Sequence, residues 1–394
     1  MNLSLWAILM HRLSGIWLTR STLTGYLDIK NQNKMRLTLI LLISLLLSAC
    51  MKDDPMNQAF VSFEPKDIDD GLIISNPLAE GIDPEKLTSV YNISYNDETL
   101  WSLRSLLVFK NNKLVAEAYL KDEKDITTRH LIWSSTKQVM GILTGIAVDQ
   151  GLIASINDPI SAYLPEVLNA YSEKAGITIE QLITMHSGID YNNDGVGGQT
   201  DKVLRQIPDN ITNFVLARPM RTAPGTDFYY NDGDPQLMSA VIQSAAGKPT
   251  DEWADEVLFS KIGVRNYNWV RYKDGTTLGG FGIETTPREL AKIAMCVADS
   301  GRFNDQQIVS AEWIREMISV KVDLSGDYKF GYYWWYDATR NIHFTWGHGG
   351  QFAFIVPDQQ LIVVMTSIPN TQGDYQIQAD EALPLVDHII DACY

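Results

Sequence analysis

The spacing of apolar and polar positions predicts strands near both ends of the folded part of the chain, with helices between them. Two strand-like runs at 103–109 and 113–120 flank Asn111-Asn112, a turn signal, and so predict a β-hairpin. Aromatic and β-branched residues predict four more strands near the C-terminus, at 329–336, 342–347, 352–356 and 361–367.

The segments between these strands have helical periodicity and recognisable start and stop residues. Helices are predicted at 135–150 before Gly151, at 177–185 entered at Thr178, at 235–246 before Gly247, from Thr286-Pro287, and at 379–390. Terminal strands and central helices together predict an α+β fold. One antiparallel sheet is built from both chain ends and flanked by helices, a mainly helical lobe forms the middle, and a cleft between them is the natural place for a site.

The first fifty residues have the pattern of an export signal. Lys34 and Arg36 precede an apolar run at 37–47, which is too short to cross a bilayer as a helix and ends in Leu47-Ser48-Ala49-Cys50. This ending resembles a bacterial lipoprotein box, in which Cys50 is lipidated and becomes the mature N-terminus. The alternative is an ordinary signal peptide followed by a chance cysteine.

These patterns divide the chain into three parts. Residues 1–49 are interpreted as an N-terminal extension with a lipoprotein signal peptide, 50–84 as a lipidated tether, and 85–394 as one catalytic domain. We therefore expect an exported protein, lipid-anchored to a bacterial membrane and facing the periplasm or the cell surface.

Composition and charge restrict the choice of partners. The formal net charge of -16 makes nucleic acid an unlikely partner, because such a surface repels phosphate backbones. Cys296 lies in an apolar helical run and fits a buried thiol, although a disulfide to Cys393 remains open.

The central chemical candidate is the pair Ser134 and Lys137. Their three-residue spacing on a helix places both side chains on one face, so the amine can reach the serine hydroxyl. A serine hydroxyl needs a neighbouring base to become a useful nucleophile. Taken alone, the pattern is better explained by a helix-capping serine with a surface lysine.

Further motifs follow in a fixed order over residues 85–390: Ser134 to Lys137, Gly151-Leu152, Asn157 to Ile160, Tyr163-Leu164-Pro165, Ile177-Thr178-Ile179, His186-Ser187-Gly188, Pro224-Gly225-Thr226, Gly279 to Gly282, Thr286-Pro287-Arg288 and Gly347 to Gly350. This series resembles the serine β-lactamase and penicillin-binding-protein superfamily, in its class C-like branch. That branch also contains esterases, D-amino-acid peptidases and 6-aminohexanoate oligomer hydrolases. The resemblance implies a β-lactamase/transpeptidase-like fold and an acyl-enzyme mechanism.

The family's Tyr-x-Asn motif can be placed in two registers. Tyr229-Tyr230-Asn231 preserves the asparagine, whereas Tyr230-Asn231-Asp232 preserves the distance from Pro-Gly-Thr. We prefer the second, in which Tyr230 shares the proton transfers of Lys137. Asp232 then departs from the family, because an aspartate only accepts hydrogen bonds and would hold Lys137 protonated.

The third family element is His348-Gly349-Gly350, where many relatives have Lys-Thr-Gly. The glycines allow close approach of the backbone to substrate. By resemblance, the backbone N–H groups of Ser134 and Gln351 would form the oxyanion hole. His348 replaces a permanent cation with a group that is mostly neutral at pH 7, which argues mildly against a dedicated β-lactamase.

The sequence therefore predicts a serine hydrolase that cleaves ester or amide bonds of small acyl or peptide-like substrates through an acyl-enzyme on Ser134. Two alternatives stay open: a β-lactamase or D,D-peptidase acting on cell-wall-like peptides, and a catalytically weak binding lipoprotein. No metal-ligand motif or α/β-hydrolase elbow occurs, so neither metal nor cofactor is expected.

Overall fold

The computed structural model describes residues 61–193, 209–369 and 376–394. The predicted signal peptide and Cys50 lie outside these residues. Within them, the chain forms one compact unit that begins at Val61.

The main sheet has eight antiparallel strands in the order β2-β1-β13-β12-β11-β10-β9-β8, so both chain ends contribute to it. Its strands are β1 Leu103–Lys110, β2 Lys113–Tyr119, β8 Val322–Asp323, β9 Tyr328–Phe330, β10 Trp335–Asp337, β11 Ile342–Gly347, β12 Gln351–Val356 and β13 Leu361–Ser367. Two small sheets are formed by β3 His130–Leu131, β4 Tyr267–Trp269 and β5 Ile283–Thr285, and by β6 Arg302–Phe303 and β7 Gln306–Gln307. The predicted α+β architecture is confirmed.

The α-helices of the described residues are α1 Pro84–Asn96, α2 Thr136–Asp149, α3 Val167–Ala170, α4 Ile179–Ile183, α5 Ile211–Leu216, α6 Gly233–Ala246, α7 Thr250–Ala254, α8 Pro287–Ala298, α9 Ala311–Ile318 and α10 Ala379–Ala392. Their ends carry the capping chemistry that the sequence indicates. Thr178 and Gln181 form a capping box at α4, and the Thr286 side chain caps α8 ahead of Pro287.

Two hydrophobic clusters cover the sheet. Helices α1 and α10 pack with the strands in one cluster, and the buried sides of α2, α6 and α8 form the larger one. Helix α2 is buried along nearly its whole length and crosses the centre of the helical lobe. The turn that carries Ser134, directly before α2, is therefore supported by a buried helix.

Residues 61–84, which the sequence analysis assigns to the tether, are part of the folded unit. Phe63 stacks on Tyr91 of α1, and the Glu117 N–H of edge strand β2 donates to the Phe63 carbonyl at 2.8 Å. The buried Arg288 of α8 donates to the Lys66 carbonyl and to Asp70. The segment thus covers the edge strand, which would otherwise present unpaired backbone groups.

Cys296 and Cys393 are both free thiols. Burial raises the pKa of the Cys296 thiol to about 12, which fits an inert core residue. Among the residues that the structure describes, no helix is long and apolar enough to cross a membrane.

Candidate active site

The candidate nucleophile Ser134 lies in a single 3-10 turn, Trp133–Ser135, directly before α2. Trp133 has a φ of +50°, a left-handed conformation that a bulky residue rarely adopts without strong support from its surroundings. The residues after Ser134 supply that support. Ser135 Oγ donates to the Gln351 carbonyl at 3.0 Å, and Thr136 Oγ1 accepts the N–H of Gly282 at 3.1 Å. Ser134 itself stays partly accessible between these anchors.

Lys137 is completely buried and has three hydrogen-bond acceptors around its amine. Nζ donates to Ser134 Oγ at 2.9 Å, to the Gly280 carbonyl at 2.8 Å and to Asp232 Oδ1. An ammonium group has three N–H donors and no acceptor, so this set of partners matches the charged form of lysine. In this geometry Lys137 Nζ lies within hydrogen-bond distance of the candidate nucleophile Ser134.

The structure brings Tyr230, and not Tyr229, to this group. Lys137 Nζ lies 5.0 Å from the centroid of the Tyr230 ring. The Tyr229 ring instead lies against Arg221, with 4.3 Å between the guanidinium carbon and the ring centroid. Tyr230 and Asp232, two residues apart, therefore flank the same ammonium group.

The Asn231 side chain forms hydrogen bonds with backbone groups of its own segment. Its Nδ2 donates to the Tyr229 carbonyl at 2.8 Å, and its Oδ1 accepts the Asp234 N–H at 2.8 Å. The asparagine that favours the other register therefore stabilises the backbone at the start of α6.

Gly280 is a site residue to which sequence reasoning gave no role. Its carbonyl accepts a hydrogen bond from Lys137, and a Cβ on Gly280 would lie 3.0 Å from the Asp232 Cβ. The signal was present in the glycine run 279–282, because a close backbone approach is a common reason for glycine.

The loop between β11 and β12 holds the third predicted element. Gly349 and Gly350 have φ values of +78° and +88°, which glycine adopts without cost. The Gln351 side chain is buried and donates to the Ser367 carbonyl at 2.8 Å. His348 contacts Trp133 edge to face at 5.3 Å between ring centroids. The structure therefore places His348 beside the turn that carries Ser134, and the Gln351 side chain links its loop to β13.

Gly347 explains how closely β11 approaches the nucleophile. A Cβ at this position would lie 2.2 Å from the Ile132 carbonyl and 3.0 Å from Ser135 Oγ. The backbone of Gly347 thus packs directly on the turn that carries Ser134.

Aromatic residues continue from Tyr230 onto strands β9, β10 and β11. Trp335 lies 5.7 Å from Tyr230, 5.0 Å from Phe330 and 5.1 Å from Trp346 between ring centroids. Trp335 and Trp346 are only partly buried. The site therefore combines the buried Lys137–Asp232 ion pair, the partly accessible Ser134 and an aromatic cluster next to Tyr230.

Comparison with known proteins agrees with this arrangement. The family model described as Beta-lactamase matches residues 104–385. This chain belongs to the β-lactamase family. Members of this family are serine hydrolases, and the matched range includes the whole group around Ser134 and Lys137.

Among similar β-lactamase-family proteins is a 6-aminohexanoate-dimer hydrolase from Paenarthrobacter ureafaciens, 23% identical over 226 residues. The match covers 55% of this chain and 57% of that protein, so this chain spans little more than half the length of the relative. Two solved structures share the fold. One is a Bacillus anthracis protein provisionally assigned as a 6-aminohexanoate-dimer hydrolase, with TM-score 0.66 and 18% identity over 86% of this chain and 94% of its own. The other is a family VIII carboxylesterase, with TM-score 0.62 and 18% identity over 81% and 98%.

Proposed function

We propose that this chain is a serine hydrolase that cleaves ester or amide bonds of small acyl or peptide-like substrates through an acyl-enzyme on Ser134. The observation that carries the proposal is the 2.9 Å hydrogen bond from Lys137 to Ser134, in an amine that also contacts Asp232 and the Gly280 carbonyl. A buried ammonium fixed beside a reachable serine is an arrangement suited to nucleophilic catalysis.

The proposed proton path runs through Tyr230. Ser134 Oγ bonds to the substrate carbonyl carbon while its proton passes to the Tyr230 phenolate, which the neighbouring Lys137 ammonium stabilises. Tyr230 then gives that proton to the departing alcohol or amine. Water attacks the acyl-enzyme by the reverse sequence, which releases the acid and restores Ser134.

The backbone N–H groups of Ser134 and Gln351 would stabilise the negative charge on the carbonyl oxygen. The hydrogen bond from Ser135 Oγ to the Gln351 carbonyl supports this role, because it ties the two peptide segments together. Gly349 and Gly350 leave the backbone directly before Gln351 without side chains.

The surroundings of Lys137 favour uncharged acyl groups over carboxylate-bearing ones. Asp232 already balances the lysine charge, and His348 stands where many relatives carry a lysine. Relatives named for ester and amide hydrolysis add support. The test is turnover of short p-nitrophenyl acyl esters, which should be lost in Ser134→Ala; equal turnover by that variant would exclude the assignment.

A β-lactamase or D,D-peptidase is the second candidate, and the family match is the observation that favours it. Labelling of Ser134 by a fluorescent penicillin with rapid turnover would support it. A catalytically weak binding lipoprotein is the third, and it predicts an acyl-enzyme that forms but does not hydrolyse.

We further propose export and lipid anchoring at Cys50, on the strength of residues 34–50 of the sequence alone. Expression in a bacterial host with labelled palmitate tests this. The label should enter the wild-type chain and be absent from Cys50→Ser; equal labelling of both would contradict the proposal.

A further inference from the structure

Asp234, two residues after Asp232, is a completely buried acid that the proposed mechanism does not use. It lies in the first turn of α6, where its backbone N–H donates to Asn231 Oδ1. Its Oδ1 accepts the hydroxyl of Ser187 at 2.5 Å, and Ser187 Oγ in turn accepts the Ile189 N–H at 3.2 Å. Asp234 therefore joins the segment carrying Tyr230 and Asp232 to the loop at 186–189.

No cation balances this carboxyl group. Among the described residues, Asp234 forms no ion pair, and its Oδ2 is buried with no hydrogen-bond partner. The titratable group that interacts electrostatically with Asp234 is the fully buried Tyr333, and Lys137 is already balanced by Asp232. On the facing loop, His186 is occupied with the Thr184 carbonyl at 2.7 Å.

A carboxylate without a counter-charge is expensive to bury, and burial alone disfavours the charged form. Burial raises the pKa of Asp234 to about 7, against the lowering effects of its bonds to Ser187 and Asn231. The charge of Asp234 also adds to the effect of burial in raising the pKa of Tyr333 well above its usual value. A negative charge at Asp234 would thus lie in this pocket without a counter-charge, at a cost to the folded state.

We propose that Asp234 is a positioning residue that works as a neutral carboxylic acid: it holds the Tyr230–Asp232 segment against the 186–189 loop, and its ionisation weakens this contact and thereby the positioning of the nucleophile. The inference concerns how the proposed Ser134 site is held. Its stability consequence does not depend on that site being catalytic.

The sign of the effect follows from the two states of the chain. The unfolded carboxyl group titrates near 3.8 and the folded one has a pKa of about 7, so the folded state holds the proton more tightly. The stabilisation is complete below pH 3.8. It is lost as the pH rises through about 7, where the folded carboxyl ionises.

The test compares the wild-type chain with Asp234→Asn, a neutral replacement of the same shape, at pH 5 and pH 8. The melting temperature of the variant relative to wild type should rise between the two pH values by about 3–6 °C. In the same buffers, the rate of labelling by a fluorophosphonate should fall in wild type relative to Asp234→Asn by about three- to tenfold as the pH rises.

Asp337→Asn is the matched control. Asp337 is also fully buried, but its Oδ2 accepts Arg340 Nη1 at 2.9 Å. Its replacement should lower the melting temperature at pH 8, since it removes a counter-charge. Ser187→Ala gives a second measurement. It removes the hydroxyl that donates to Asp234 and favours its charged form, so the melting temperature of this variant should fall further below that of wild type as the pH rises.

The proposal is overturned if the melting difference between wild type and Asp234→Asn does not change with pH, or if Asp234→Asn behaves like Asp337→Asn. A wild-type chain that takes no label at any pH would remove the proposed function. The melting temperatures would still decide the role of Asp234.

Discussion

Lys137 and Asp232 form an ion pair in which the lysine side chain is fully buried and that of the aspartate is 8% exposed. The same ammonium group donates to Ser134 Oγ at 2.9 Å. In the register preferred from the sequence, Asp232 takes the position of the asparagine of the Tyr-x-Asn motif, so we expect a full negative charge where that motif has a neutral amide. The pair therefore favours the charged form of lysine, and we expect Tyr230 to accept the serine proton.

Replacing Asp232 tests the strength of this pair. Asp232→Ala should lower the free energy of unfolding by about 3–5 kcal/mol, because it leaves the Lys137 ammonium buried without its counter-charge. Asp232→Asn keeps a carbonyl acceptor and should cost less. Urea unfolding of the three proteins measures this, and alanine and asparagine variants both within 1 kcal/mol of wild type would show that the pair does not hold the site.

The two adjacent tyrosines provide a matched test of the proton path. Tyr230→Phe should slow acylation of Ser134 by about 10²–10⁴-fold, since it removes a general base and acid. Tyr229→Phe should stay near wild type, because that ring packs against Arg221 and not against Lys137. Stopped-flow turnover of a p-nitrophenyl ester measures both, and the reverse order of effects would move the assignment to Tyr229.

Gly347 is predicted to tolerate no side chain. A Cβ there would lie 2.2 Å from the Ile132 carbonyl, so Gly347→Ala should cost about 1–3 kcal/mol and displace the Ser134 turn. Gly176→Ala is the control, because nothing lies within 4 Å of a Cβ at that exposed position. Thermal unfolding with ester turnover distinguishes them; equal, small effects would mean that β11 does not press on the nucleophile turn.

Arg288 should be the strongest single clamp on residues 61–84. It is 1% exposed and binds Glu117, Asp70 and the Lys66 carbonyl. Arg288→Ala leaves the buried Glu117 carboxylate without its counter-charge and should cost about 3–5 kcal/mol. The control Arg271→Ala removes an exposed pairing with Asp251 and Glu252 and should cost at most about 1 kcal/mol. Guanidinium unfolding compares the two, and similar losses would argue against the clamp.

Local signals were enough to predict the elements whose periodicity and caps agree. The hairpin at 103–120 and the helices after Ser135 and Pro287 have observed bounds close to the predicted ones. The single predicted strand at 329–336 is instead two strands, β9 and β10. Tyr333 has a φ of +64° and a Cβ on Gly331 would lie 2.2 Å from the Met317 carbonyl, so packing against α9 breaks the strand. Such a tertiary contact has no trace in local periodicity.

The same distinction holds at the candidate site. Spacing alone suggested that Lys137 reaches Ser134, because both lie on one short stretch of backbone. The contact of Lys137 with the Gly280 carbonyl joins residues 143 positions apart, and no local pattern reports it. Helix α1 was missed although Asp83-Pro84 gives it a local start signal, and the packing of residues 61–84 was missed because partners such as Arg288 are distant in sequence.

The most direct test is intact-mass analysis of the purified chain after exposure to a fluorophosphonate, alongside Ser134→Ala and the control Ser89→Ala, which removes an exposed hydroxyl on α1. We predict one adduct on wild type and on Ser89→Ala, and none on Ser134→Ala. An adduct that persists in Ser134→Ala, or a wild-type chain that takes none, would contradict an activated nucleophile at Ser134.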